Sequence, residues 1–175
     1  MKKFELTNEF ITNMFGTKLF RIRALVEFGD VEAGELGGYV EKESNLGHDD
    51  NAWVYDNAWV YGNARVYGDA QVSGNALVYD NAWVYGNARV CGDARVCGDA
   101  RVCGNGDYAY AHGFGSVNRT TTFFRLKDGG VGVRCGCFYG TLAQFRDKIR
   151  ETHGETKKAQ EYLMLADLMK LRFEK

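Results

Sequence analysis

Three histidines, five cysteines and a recurring set of tryptophan, tyrosine and arginine residues are the places where this 175-residue chain could do chemistry. His48, His112 and His153 are its only side chains that titrate near neutral pH without help, and so its natural general bases. Cys91, Cys97 and Cys103 look like a metal cluster when read along the line, and Cys135 and Cys137 form a close pair. Two thiolates lacking a third and fourth ligand do not make a zinc site, so that pair reads as buried hydrophobes sharing a strand face with Val131 and Val133. A different chemistry belongs to Trp53, Trp59 and Trp83, to Tyr55, Tyr61, Tyr67, Tyr79 and Tyr85, and to Arg65, Arg89, Arg95 and Arg101. Flat π faces, phenols and guanidinium groups stack on one another and dominate the hot spots of binding surfaces.

The elements that must position these residues follow from a repeat. From Asn51 to Gly104 the chain divides without remainder into nine hexapeptides, from NAWVYD to DARVCG, on the template [ND]-A-x-V-y-[GD]. Val recurs at 54, 60, 66, 72, 78, 84, 90, 96 and 102, each with Ala two residues before it. Residues two apart share one face of a strand, so Ala and Val point one way while x and y point the other. Nothing recurs at the helical period, and strands this short in a flat meander would bury only Ala and Val on one face. Coiling the chain around an axis buries all nine pairs.

This pattern resembles the hexapeptide-repeat family of left-handed parallel β-helices, in which Val54 followed by Asn57 and Ala58, and Val60 by Asn63 and Ala64, match an aliphatic residue, a corner and a small residue. The resemblance implies triangular coils of three hexapeptides, left-handedness, and about three coils for residues 51–104. Vertical neighbours are then eighteen residues apart. The x columns read Trp53, Gln71, Arg89, then Trp59, Leu77, Arg95, then Arg65, Trp83, Arg101; the y columns read Tyr55, Ser73, Cys91, then Tyr61, Tyr79, Cys97, then Tyr67, Tyr85, Cys103. Trp83 is expected between two guanidinium groups. Cys91, Cys97 and Cys103 fall on three different faces and cannot converge on one metal ion.

A stub of three coils needs caps, because its end strands otherwise offer open edges. All eleven Phe lie outside the repeats, which puts the ordinary hydrophobic cores in the flanks. Residues 1–35 read as an N-terminal β-hairpin cap built from KFELT and TKLFRIRALVEF. Residues 36–104 form the β-helix, with Leu36, Val40 and Leu46 in a degenerate first coil. In residues 105–175, AYAHGFG reads as a Gly-rich connection, TTTFFRLKDGGVGVRCGCF as a hairpin turning at Asp128-Gly129-Gly130, and Thr141 with Gln144 as a capping box. Two helices follow, with stripes at Leu142, Phe145 and Ile149 and at Tyr162, Leu163, Ala166, Met169 and Phe173, separated at His153-Gly154. The fold class is therefore mainly β, with a β cap at one end and a hairpin plus two helices at the other.

Composition bounds the function. With 22 basic and 23 acidic residues, no apolar run near the ~20 residues of a membrane span and no apolar segment after MKKFELTNEF, the chain reads as a cytoplasmic protein rather than a membrane or disulfide-stapled one. Residues 50–103 hold six Asp and four Arg, too little charge to imitate a nucleic-acid duplex. The wider chain resembles a group of small bacterial and prophage proteins that join LGGYVEKESNL, YGNARV-type repeats and a tail of the VRCGCFYGTLAQF and ETHG type, often labelled acyltransferases on the repeat alone. In acyltransferases with this repeat, the resemblance implies a loop His as general base and acyl-coenzyme A bound between the subunits of a trimer. Here no loop interrupts the nine repeats and none of His48, His112 and His153 lies in them; His112 is the least poor of the three for that role, and as a polar residue in a Gly-rich connection it reads first as part of the linker. The expectation is a non-catalytic protein without cofactor or metal. Its Trp, Tyr and Arg ladders both stiffen the prism and bind a protein or protein–nucleic-acid partner, as a prophage inhibitor of a host defence nuclease of the anti-CRISPR kind does. Dimers or trimers of the chain fit the same surfaces. The alternative is a trimeric coenzyme A-dependent acyltransferase.

Overall fold

The computed structural model describes residues 1–174. Strands β4 to β12 are the two-residue segments Trp53–Val54, Trp59–Val60, Arg65–Val66, Gln71–Val72, Leu77–Val78, Trp83–Val84, Arg89–Val90, Arg95–Val96 and Arg101–Val102. They stack in three parallel ladders, β4–β7–β10, β5–β8–β11 and β6–β9–β12, with Trp53 opposite Gln71, Trp59 opposite Leu77 and Arg65 opposite Trp83. Every Ala and Val of the template points inward, none more than 1% exposed. The predicted coils and columns are therefore present in register. A partial fourth turn comes from β3 (Leu36–Val40), parallel to β5, and from Leu46, which bridges Val66.

The corners explain the [GD]-[ND] pair. Gly62, Gly68, Gly74, Gly86, Gly92 and Gly98 take positive φ, and Asp56 and Asp80 take the same conformation at 53° and 57°. The strain of the two aspartates is offset one coil on, where Asp56 Oδ2 accepts the Gly74 N–H at 2.9 Å and Asp80 Oδ2 accepts that of Gly98 at 3.2 Å.

In each ladder the N–H groups point toward the C-terminal end of the solenoid and the carbonyls toward the N-terminal end, as in Trp53 N–H to Ala70 O. One end of the prism thus presents bare carbonyls and the other bare N–H groups, and each cap supplies the matching chemistry. At the N-terminal end the donors are the Lys3 ammonium to Asp50 O and Ala52 O (2.6 and 2.8 Å), β3 backbone to Ala58 O, and the Asn45 amide to Gly62 O and Ala64 O (3.2 and 2.9 Å). At the C-terminal end the acceptors are Asn105 Oδ1 for the Arg89 N–H, Thr122 Oγ1 for Arg95 and Asp107 Oδ2 for Cys103, at 2.8, 3.0 and 3.0 Å.

Lys3 shows what this termination costs. It is buried, with its ammonium 4.5 Å from the Phe28 ring centre. Burial, opposed by Asp50, pushes its pKa down to about 8. A folded-state value below the unfolded one means that charged Lys3 weakens the fold below pH 8, a penalty relieved as pH rises toward the ordinary lysine range. Lys3→Met leaves two carbonyls without donors and is expected to cost about 1–3 kcal/mol at neutral pH. Urea titrations of both proteins should show the wild-type advantage growing between pH 8 and 10; a constant difference contradicts this account.

The N-terminal cap extends one ladder. β1 (Phe4–Thr12) and β2 (Lys18–Ala24) form the predicted hairpin, and β2 pairs antiparallel with β3, giving the order β1-β2-β3-β5-β8-β11. The glycines of LGGYV make this join possible, since a Cβ on Gly37 or Gly38 would lie 2.5 Å from Val54 O or 2.6 Å from Ala58 O.

The C-terminal cap is larger than the expected hairpin. It is a four-stranded sheet, β13 (Tyr108–Phe114), β14 (Arg119–Arg125), β15 (Val131–Cys135) and β16 (Phe138–Thr141), so AYAHGF is a strand and not a connection. β14 and β15 turn at residues 128–130 as predicted. Helices α1 (Leu142–His153) and α2 (Lys157–Phe173) pack on the sheet through Phe145, Ile149, Tyr162, Ala166, Met169 and Phe173. The Thr141–Gln144 capping box forms, with reciprocal bonds of 2.9 and 3.2 Å. Cys135 ends β15 and is buried, whereas Cys137 lies exposed in the following turn, so the two do not share a strand face as expected.

Candidate functional site

The three solenoid faces begin alike in sequence and end differently, because the caps fold over two of them. On the first face Trp53 is not available to a partner: it is 0% exposed, edge-on to Phe4 and Phe28 at 6.3 and 5.3 Å. Its side chain points away from the coil axis as the period requires, but the N-terminal cap lies on it. Tyr55, two residues along in the same coil, is half-buried, and Arg89, two coils on, is exposed.

On the second face Trp59 and Tyr61 are half-buried and Arg95 is exposed. Tyr61 stacks on Tyr79 at 5.1 Å and 4°. Tyr79 and Cys97, expected outward, are buried instead, with the Arg134 guanidinium of β15 5.9 Å from the Tyr79 ring centre. Burial pushes the Tyr79 hydroxyl up and the Cys97 thiol up to about 11, so Cys97 stays protonated and inert. Cys91 and Cys103 are exposed on the other two faces.

On the third face Tyr67, Trp83, Tyr85 and Arg101 are half-buried and Arg65 is exposed. Trp83 lies between Arg101 and Arg65, whose guanidinium carbons are 4.3 and 6.0 Å from its ring, the stack that eighteen-residue spacing predicts. Tyr67 meets Trp83 edge-on at 6.1 Å and stacks on Tyr85 at 5.2 Å and 6°. Arg101 is fixed by donating to Asn81 O and Ala100 O at 2.9 and 2.8 Å. Burial raises the Tyr67 hydroxyl pKa. Lys42 and Ser44 of the irregular first turn join Asn63, Arg65 and Trp83 around a hollow of about 350 Å³. The period misses Lys42 because that turn does not keep it; for the same reason it misses Tyr39, which sits on β3 opposite Trp59 and bonds Arg21 at 2.9 Å.

The histidines are scattered. His48 stacks on Phe4 at 4.4 Å, accepts the Lys3 N–H on Nδ1, and has its pKa lowered by burial. His153 packs against Tyr162 at the end of α1. His112 is exposed on β13, its Nδ1 2.8 Å from Thr120 Oγ1, beside a hollow that also holds Asp93, Arg95 and Arg119. Among the described residues no three His, Cys, Asp or Glu side chains are grouped to hold a metal ion. No helix there is long and apolar enough to cross a membrane.

No curated protein matches the chain. Segments 58–70, 70–86 and 82–98 match a family model described as the YdcK beta solenoid repeat, and this match together with the coil geometry identifies the array as a repeat β-solenoid.

Proposed function

We propose that this is a non-catalytic binding protein whose third solenoid face grips a protein or protein–nucleic-acid partner. The observation that supports the reading is the Arg65–Trp83–Arg101 stack beside Tyr67 and Tyr85. These side chains are held in place by one another and by solenoid backbone, so little conformational freedom is lost when a partner covers them. Trp, Tyr and Arg are also the residue types from which binding hot spots are made. The finer reading is that of a cytoplasmic inhibitor that acts by occupying its partner, with a host defence nuclease as the partner class that the prophage resemblance implies.

The test is to immobilise the protein, pass host lysate over it, identify what is retained in stoichiometric amount, and assay that partner with and without the protein. Loss of the partner's activity is expected, and His112→Ala should leave both retention and inhibition unchanged. The acyltransferase alternative makes the opposite prediction: a trimer that acetyl-coenzyme A stabilises. Ligand at a hundredfold its Kd adds about 2.7 kcal/mol, roughly 5–10 °C for a chain of this size. Such a shift, abolished by His112→Ala, overturns the binding-protein reading.

A further inference from the structure

Cys135 and Cys137 take no part in the surface described above, and the fold treats them unequally. Gly136 and Cys137 make the two-residue turn between β15 and β16, closed by Cys135 opposite Phe138. Cys135 is buried: Thr121 Oγ1 donates to its sulfur at 3.3 Å, and its thiol donates to the Tyr162 hydroxyl at 3.8 Å. Cys137 is exposed. Both nonetheless line one hollow of about 180 Å³ in the C-terminal cap, with Arg119 and Lys148 on the same lining.

The residue between them is glycine for a visible reason. Gly136 sits at φ 58°, and a Cβ there would lie 1.7 Å from Arg119 Nη1, so the guanidinium occupies the space that a side chain would take. A positive charge is thereby laid against the turn that carries both thiols. Lys148 brings a second, paired with Glu151 at 3.2 Å. Two residues of chain span at most about 7 Å, and a disulfide needs Cα atoms roughly 4.4–6.8 Å apart. A turn bent at positive φ stays short of full extension, so the two cysteines are within bridging range.

We propose that Cys137 and Cys135 form a thiol–disulfide exchange site for small anionic disulfides of the glutathione class. Such a molecule carries more carboxylates than ammonium groups, which suits a turn overlaid by Arg119. The Cys137 sulfur, the one that solvent reaches, attacks one sulfur of the disulfide. A mixed disulfide forms on Cys137, and the other half leaves as a thiol that takes up the Cys137 proton. The Cys135 sulfur then attacks the Cys137 sulfur, forming the Cys135–Cys137 bridge and releasing the second half as a thiol with the Cys135 proton. Two protein thiols are oxidised and one disulfide is reduced to two thiols. A bridge across a single intervening residue is strained and so readily reduced again, which makes the exchange reversible. The site uses neither Trp83 nor its neighbours and is independent of the partner-binding reading.

The test is a peptide map of the wild-type protein after incubation with oxidised glutathione, acid quench and alkylation of the remaining thiols. Trypsin cuts after Arg134 and Arg146, so both thiols fall on residues 135–146, while the exposed Cys103 falls on residues 102–119. Residues 135–146 should carry neither alkyl group nor glutathione and weigh less than the reduced peptide by two hydrogen atoms, and dithiothreitol should restore both thiols. Cys103, on a face with no second thiol, should keep its glutathione. In Cys135→Ser, Cys137 should keep glutathione as Cys103 does; in Cys137→Ser, the buried Cys135 should stay free. A wild-type 135–146 peptide that remains fully alkylated while Cys103 reacts, or that holds glutathione as stably as the Cys135→Ser protein, overturns the proposal. So does a Cys135 that reacts as fast without Cys137 as with it.

Discussion

Trp53→Ala is expected to lower the melting temperature by roughly 6–20 °C while leaving partner binding unchanged. The indole is enclosed by Phe4, Phe28 and the first coil, and truncating a fully buried tryptophan costs about 3–5 kcal/mol. At this chain length each kcal/mol moves the midpoint by roughly 2–4 °C. Trp53→Phe separates shape from polarity. The indole Nε1 is buried without a hydrogen-bond partner, so the phenylalanine variant removes a penalty as well as volume and should lose well under half as much. A thermal melt of Trp53→Ala that matches wild type would mean that the N-terminal cap does not close on the first coil.

Trp83→Ala should show the reverse pattern. Its ring exchanges cation–π contacts with Arg65 and Arg101, worth roughly 0.5–1 kcal/mol each, so the fold should lose only about 1–2 kcal/mol. If the third face is the contact surface, binding should weaken by about 2 kcal/mol or more, some thirtyfold in Kd. Calorimetry with the retained partner and a thermal melt of the same sample decide it. Equal losses in the two measurements would reduce the stack to a structural ladder. A larger binding loss for Trp59→Ala would move the contact to the second face.

These two tryptophans occupy the same template position, and that identity marks how far the sequence can be read. The period fixes inside and outside, the eighteen-residue register and hence the Arg65–Trp83–Arg101 stack, because a strand's two faces alternate and each coil repeats the last. The Thr141–Gln144 box was legible for a similar reason, since its reciprocal bonds need only residues three apart. Which outward positions the caps then cover is set by long-range packing. Nothing local distinguishes Trp53 from Trp83, or Cys97 from Cys103. β13 was hidden because Ala, His and Gly in AYAHGF give weak strand preference, and it exists through its pairing with β14. Lys3 gave no signal at all, because its role depends on carbonyls forty-seven and forty-nine residues away.

Since one terminus of the solenoid needs hydrogen-bond donors and the other acceptors, every internal layer is electrically and geometrically equivalent to its neighbours. Evolution or design can therefore lengthen or shorten the rod in steps of eighteen residues without retooling either lid. A six-residue insertion would keep the interior lined but rotate one lid by a third of a turn, presenting Asn105, Thr122 and Asp107 to the wrong edges. Size in this architecture is quantised by the polygon, not by the repeat.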